Sequence, residues 1–333
     1  MFHIRASGGG WLPAFASPGA APEVTRKQKG WVNGMHITLR QLEIFKAVAQ
    51  SGRVTAAAEL LFISQPAASM ALSELEKHLG SLFDRHQGAS MTLSDSGRAL
   101  LPMACELVDR AKEIERQFVN GSCYEQGVLK ICASSTVGNN LMPKILGDFA
   151  REFPRIRTEL TIDNTRSIVN SLVAMDIDMA VVEGTCLHPD IDVYTWREDE
   201  LVIIAHPSHP LANKESVELK DLKDEGWILR ESGSGTRELF DEVIAAQLVT
   251  PRILMSLNRS EAIKQAVADG LGVACISRLA VWRAVSGGLL SIINVSDLSL
   301  KRYLYLLLNR NKYRSGVVQK ITDFILSSKS GGE

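Results

Sequence analysis

The stretch VTAAAELLFISQPAASMALSELEKHLG, Val54–Gly80, reads as two short helices broken at Phe62-Ile63-Ser64. Ser64 supplies an N-cap, and Pro66 sits in the first turn, where a missing N–H costs nothing. Ala68, Leu72, Leu75 and Leu79 then recur at steps of three and four, an apolar stripe that buries the second helix. Gln65, Ser69, Met70 and Ser73 fall off that stripe and face outward. Upstream, Ala56, Ala57 and Ala58 carry so little bulk that the first helix can cross the second closely. A second helix with small polar residues outside fits a DNA major groove and reaches base edges. An ordinary αα-hairpin satisfies the same pattern.

The flanks extend this unit. Leu39, Leu42, Phe45 and Val48 make Thr38–Gln50 an amphipathic helix ending at Ser51-Gly52. After Gly80, residues 82–85 and 90–93 read as two short strands joined by a turn over 86–89, a wing. Arg85 and His86 near its tip are candidate phosphate contacts, although a solvated hairpin accounts for either one equally well. Ser94-Asp95-Ser96-Gly97 then opens a long helix running to about Gly121. Its apolar positions, Leu100, Ala104, Leu107, Ala111, Ile114 and Phe118, step by four, three, four, three and four, a heptad seam that implies a partner helix and hence a homodimer.

From Gly127 the pattern changes to strands alternating with helices. Strands are expected at 128–133, 158–162, 179–182, 201–205, 227–229, 253–257, 273–276 and 303–308. Helices are expected at 136–153, 165–174, 236–248, 260–269 and 316–326. Such alternation predicts an α/β architecture with mainly parallel sheets. In that architecture ligands sit where strands end and helices begin. Three polar junctions qualify: Ser134-Ser135-Thr136, Asn164-Thr165, and Ser234-Gly235-Thr236 within SGSGTR. Hydroxyls and backbone donors with few carboxylates suit a small anion, while simple N-capping explains each junction taken alone. Glu183, directly after a buried strand, either lines the same cleft or caps a neighbouring helix.

Composition sets the bounds. The chain has 333 residues, 45% hydrophobic and 23% charged, with a net charge of −1, so no global basic field drives DNA binding. Local basic groups and dimer avidity must then suffice. Five cysteines, Cys105, Cys123, Cys132, Cys186 and Cys275, lack CxxC spacing and read as reduced thiols of a cytoplasmic protein, not as a disulfide frame or zinc site. His188, His206 and His209 lie in Pro-rich turns with no accompanying ligand pattern. No apolar run reaches the ~20 residues of a membrane span. The glycine loop is neither a phosphate-binding P-loop nor a nucleophile elbow, and no nucleophile–base pair, metal set or cofactor fingerprint points to an enzyme. Residues 1–34, rich in Gly, Pro and Ala, read as a disordered extension ahead of a natural start at Met35, with a processed leader as the alternative.

LRQLEIFKAVAQSGRVTAAAELLFISQPAASMALSELEKHLGSLFDRH followed by MTLSDSGRAL closely resembles the LysR-type transcriptional regulators. The resemblance covers Met35 to about Ser328. It implies a winged helix-turn-helix over 35–95, a dimerising linker helix over 96–122, and an effector-binding domain over 123–329 like type 2 periplasmic binding proteins. That domain would comprise subdomain I (about 123–198 and 299–329) and subdomain II (about 199–298). It further implies a homotetramer on promoter DNA whose bending changes when a small effector enters the cleft. On that pattern Ser64, Gln65, Pro66, Ser69, Met70 and Ser73 map to the recognition helix, and Ser134, Ser135, Thr136, Asn164, Thr165, Ser234, Gly235 and Thr236 to the effector contacts. Met70 and Ala71 depart from the Arg or Gln common on this helix, so operator preference does not transfer. The effector half is most similar to the branch regulating sulfur-oxyanion and anion metabolism, which makes sulfate, sulfite or another small anion the expected effector, with no other cofactor. A solute-binding protein with an N-terminal oligomerisation module is the alternative.

Overall fold

A computed structural model describes residues 36–85, 90–119, 127–184, 186–245, 247 and 251–328. The expectations for residues 1–34, His86 and the wing turn fall outside that range. The N-terminal part opens with α1 (Leu39–Ser51), whose Thr38 forms a capping box with Gln41. Next come α2 (Val54–Leu60) and α3 (Gln65–Leu79). Ala57, Ala58 and Ala68 are fully buried, so the small residues do let these helices approach closely. Ser64 caps α3 by accepting from the Ala67 N–H. Ala68, Leu72 and Leu75 face the core, but Leu79 is exposed because α3 has run past its neighbours by its last turn. The wing pairs β1 (Phe83–Arg85) with β2 (Met91–Leu93) antiparallel, and Ser94 then opens α4 (Asp95–Val119) by accepting from the Gly97 N–H.

α4 has two faces. Leu101, Ala104, Cys105 and Val108 join the core formed by Leu42, Phe45 and Val48 of α1, with Leu100 packed partly against it. Ala104 is therefore removed from the expected seam: its own chain covers it. Leu107, Ile114 and Phe118 stay exposed on the other side, the last at 82%, with Ala111 half-buried between them and Met103 extending the ridge.

The remaining residues build an α/β structure. Its main sheet contains β3 (Gly127–Ser134), β4 (Ile156–Asp163), β5 (Met179–Glu183), β6 (Ile191–Ala205), β9 (Ala274–Ser277), β10 (Ser291–Ile293) and β11 (Lys301–Asn309). A second sheet pairs β7 (Gly226–Arg230) with β8 (Arg252–Leu257). The expectation of mainly parallel pairing is corrected. β3 pairs parallel with β4 and β5, and β7 with β8, but β11 with β5 and β6, and β6 with β9 and β10, are antiparallel. The cause is β6, a 15-residue strand that crosses from one half of the domain to the other. Only its apolar end, Leu201–Ala205, is expected from the sequence, which assigns no element to residues 191–200.

Two helices also differ from expectation. The single helix over 136–153 is broken at Leu141 into α5 (Ser135–Asn140) and α6 (Met142–Glu152), with Pro143 in the first turn of the second. The helix expected from Thr236 is a short α8 (Gly235–Leu239) continued by a wide turn over Phe240–Ala245. α7 (Thr165–Val173), α9 (Ser260–Ala268) and α11 (Gly316–Ser327) fall where the spacing put them, and α10 (Arg278–Ser286) is additional. No helix among the described residues is long and apolar enough to cross a membrane.

The exposed ridge on α4 yields a prediction. If this ridge pairs with a second copy, as the heptad spacing implies, Ile114→Asp with Phe118→Asp will lower the mass found in sedimentation equilibrium while leaving the far-ultraviolet circular dichroism unchanged, because both side chains are exposed on their own chain.

Candidate functional site

The polar junctions read from the sequence converge on one carboxylate. β5 ends at Glu183, which is almost wholly buried. Ser134, closing β3, donates its hydroxyl to Glu183, and Thr136 on α5 donates at 3.4 Å. Thr165, opening α7, donates to the Glu183 carbonyl at 3.2 Å. Gly235 lies against that same carbonyl: a Cβ there would come within 2.4 Å of the oxygen, so only glycine lets the two halves touch. Arg166 N–H donates to the Gly233 carbonyl at 3.2 Å, a second direct link across the cleft.

Ser135 and Asn164 play quieter parts. Ser135 is engaged by Asn139 on its own helix, and Asn164 spends its side chain capping α7 through the Ser167 N–H. Capping is thus the observed role of Asn164. α5 and α8 are only six and five residues long, so the weight of the site falls on side chains and not on helix termini.

Two buried arginines were missed. Arg302 on β11 pairs with Asp199 at 2.7 Å and donates to Thr236 at 3.0 Å and Thr136 at 3.4 Å, tying both halves of the domain together. Asp199 also accepts from Ser277 at 2.7 Å. Arg302 was legible in principle: Arg302, Leu304 and Leu306 alternate inward along KRYLYLLL, so a period of two puts a charge on the core face. Arg230, the last residue of β7, is 2% exposed and forks onto Glu231 at 2.8 and 2.9 Å. Its Nη1 and the Ser234 hydroxyl are buried and find no hydrogen-bond partner among the described residues. Such groups cost about 1–3 kcal/mol each until something satisfies them.

The electrostatics follow from this inventory. Arg302 pairs with Asp199 and Arg230 with Glu231, so both cations that act on Glu183 are already engaged. Burial pushes its carboxyl above the usual carboxylate range, against the pull of Arg302 and Arg230.

On the N-terminal part, Gln65, Pro66, Met70 and Ser73 are exposed beside Ser64, and Ser69 is half-buried. Phe62, not singled out from the sequence as a contact, is 96% exposed in a left-handed conformation with φ 54° directly ahead of this face. Arg85 is exposed and 3.8 Å from Glu76. No group of three or more His, Cys, Asp or Glu suited to a metal occurs among the described residues.

Comparison with known proteins gives consistent matches. The family profile described as "Bacterial regulatory helix-turn-helix protein, lysR family" matches residues 39–98, and "LysR substrate binding domain" matches 124–329. The chain is 39% identical over 291 residues to the Escherichia coli protein described as the uncharacterized HTH-type transcriptional regulator YeiE, covering 87% of this chain and 97% of that one. Among solved structures, full-length OxyR from Pseudomonas aeruginosa matches with a TM-score of 0.69 at 21% identity, over 89% of this chain and 95% of that one. The Synechocystis CcmR regulatory domain in complex with 2-PG matches at 0.58 and 29% identity, over 61% and 97%. The likeness to OxyR is one of fold. Here burial raises the thiols of Cys105, Cys132 and Cys186, and pushes Cys275 up to about 12, so none of these carries thiolate character near neutrality.

The raised carboxyl of Glu183 makes stability depend on pH with a definite sign. Its folded value lies above the unfolded 4.5, so its contribution is complete below 4.5 and is lost as pH rises through the folded value. In thermal melts from pH 4.5 to 8.5, Glu183→Gln will show a smaller fall in Tm than the parent and will be the more stable protein at the alkaline end.

Proposed function

Because the chain belongs to the LysR family of DNA-binding transcriptional regulators, we propose that it is a promoter-bound homo-oligomer whose grip on DNA is set by a small anion held between the halves of its effector-binding domain. The observation that carries the anion is the buried set of donors left over in the cleft. Arg230 Nη1 and the Ser234 hydroxyl lack partners among the described residues, Ser134 and Thr136 donate to Glu183, and Arg302 reaches Thr136 and Thr236. An oxyanion offers several acceptors at once and satisfies such donors, as charge-assisted hydrogen bonds do. The complex of the related Synechocystis domain with 2-PG supports a ligand carrying acidic oxygens.

Charge selects further. A negative ligand beside an ionised Glu183 would be repelled in a low-dielectric site, so the anion enters with Glu183 protonated, and the carboxylic O–H becomes another donor. Small oxyanions such as sulfite or sulfate suit a site filled largely by its own side chains better than long acids do.

DNA is read by Ser64–Leu79. Met70 and Ser73 project from α3 and Pro66 from its first turn, and α4 of a second copy presents a second such helix to the same duplex. Tetramers follow if pairs of dimers associate through the effector domains. For ligand to matter, cleft occupancy must favour one arrangement of the reading heads over another.

Footprinting on the DNA upstream of its own gene, with and without sulfite, sulfate, nitrate and small carboxylates, tests both halves. A protected site whose extent changes with one anion is the expected result, and absence of any protected site at physiological salt refutes the DNA reading. The effective anion at ~100 times its dissociation constant will stabilise the protein by about 2.7 kcal/mol in thermal melts. That shift will shrink as pH rises, and it will persist at pH 8 in Glu183→Gln.

A further inference from the structure

The turn between α7 and β5 does something no cleft residue does: it inserts into the DNA-binding part of the chain. Met175 is 4% exposed and belongs to the same apolar cluster as Leu42, Phe45 and Val48 of α1 and Leu101 and Val108 of α4. Its backbone is left-handed, φ 61°, the position that closes a helix. Met175 N–H donates to the Leu172 carbonyl and Asp176 N–H to Ser171, a pattern in which glycine is the usual occupant because a Cβ crowds the carbonyl. A methionine held there against its backbone preference has its long side chain used as a plug.

The surroundings reinforce the seat. Burial raises the Asp176 carboxyl, and Lys312 and Gln50 at the end of α1 oppose that rise. Lys312 donates to the carbonyls of Met175 and Ile177 at 2.9 and 2.8 Å and pairs with Asp178 at 2.9 Å. Tyr313, next in sequence, donates to Glu113 of α4 at 2.5 Å, with Arg110 lying 4.5 Å over its ring.

The other end of the same hairpin is the cleft. α7 begins at Thr165 and Arg166, which reach the Glu183 and Gly233 carbonyls, and β5 ends at Glu183 itself. Nine helical residues rising ~1.5 Å each place the two ends about 13 Å apart on one rigid element. We propose that the hairpin Asn164–Glu183 is the lever joining the two functions, with the cleft setting its near end and the Met175 plug transmitting that setting to α1 and α4. The proposal rests on the cleft being the effector site. Any change in the Arg166–Gly233 link or the Glu183 cluster tilts α7, and a packed side chain at the far end of a rigid helix shifts the seat in α1 and α4. Coupling of this kind is reciprocal, so loosening the plug must alter the cleft.

Reciprocity supplies a test that needs no ligand. Hydrogen exchange on the full chain compares the parent with Met175→Gly, which suits the backbone but removes the plug, and with Gln50→Ala, which removes the α1 side chain that acts on Asp176. Leu187→Ala, at an exposed position, is the control. The expected result is at least tenfold faster exchange in α1 for Met175→Gly, accompanied in both variants by at least threefold changes at 165–168 and 233–236, with the control unchanged. Faster exchange in α1 with those cleft amides identical to the parent overturns the lever. Should Met175→Gly fail to fold, Gln50→Ala decides alone on the same cleft amides.

Sulfite provides the second arm. In the parent, sulfite is expected to raise Tm and change promoter affinity; in Met175→Gly the rise in Tm persists while the change in affinity disappears. A full affinity response in that variant overturns the lever. If sulfite leaves the parent's Tm unmoved, the anion reading fails for this probe and the exchange comparison still decides the lever.

Discussion

The buried guanidinium of Arg302 is the constraint around which the effector domain is arranged. A charge so far from water is tolerable only with a close counter-charge and its remaining N–H groups satisfied. Asp199 supplies the first from the neighbouring strand, in direct register across β6 and β11. Thr136 and Thr236 supply the second from opposite walls of the cleft. Removing any one of them strands part of a buried cation, so the two halves cannot separate freely without solvent or ligand taking their place.

The N-terminal part rests on a different economy, that of small side chains. Ala57, Ala58 and Ala68 let α2 and α3 cross closely, and Gly97 lets α4 start hard against the Leu82 carbonyl, where a Cβ would come within 2.1 Å. The apolar groups of α1 and α4 then close one small core, and α3 is left with an outer face owing nothing to the fold. Met70 and Ser73 on that face are exposed and take no part in the packing.

Much of this was legible in the sequence because its period and its caps agree. Thr38, Ser64 and Ser94 mark helix starts chemically, and steps of three and four mark the buried faces. Ser134 and Glu183 are conspicuous because each ends an apolar strand, and Thr136 and Thr236 because each sits in the first turn of the helix that follows one. What escaped is what depends on pairing across long separations. Asp199 and Arg302 lie 103 residues apart, and neither looks buried until β6 and β11 are laid side by side. The charged run of β6 hid a strand for the same reason, because its one buried charge, Asp199, shows as such only once Arg302 lies beside it. Asn164 shows the opposite failure: a polar junction residue that a local capping bond explains completely. Ala104 shows that a heptad identifies an apolar band without saying which edge of it the chain keeps for itself.

β6 carries one last implication. It is one continuous strand, bonded to β11 along its first part, with a register shift at Trp196, and to β9 and β10 along its last. Domains that hinge on flexible loops swing wide and rest anywhere between their extremes. Here the connecting material is pleated ribbon, whose ladder would have to break for a large swing, so the softest distortion available is a change of twist. The domain should therefore respond in small, elastic increments that return when the cause is withdrawn, behaving as a torsion spring more than as a jaw.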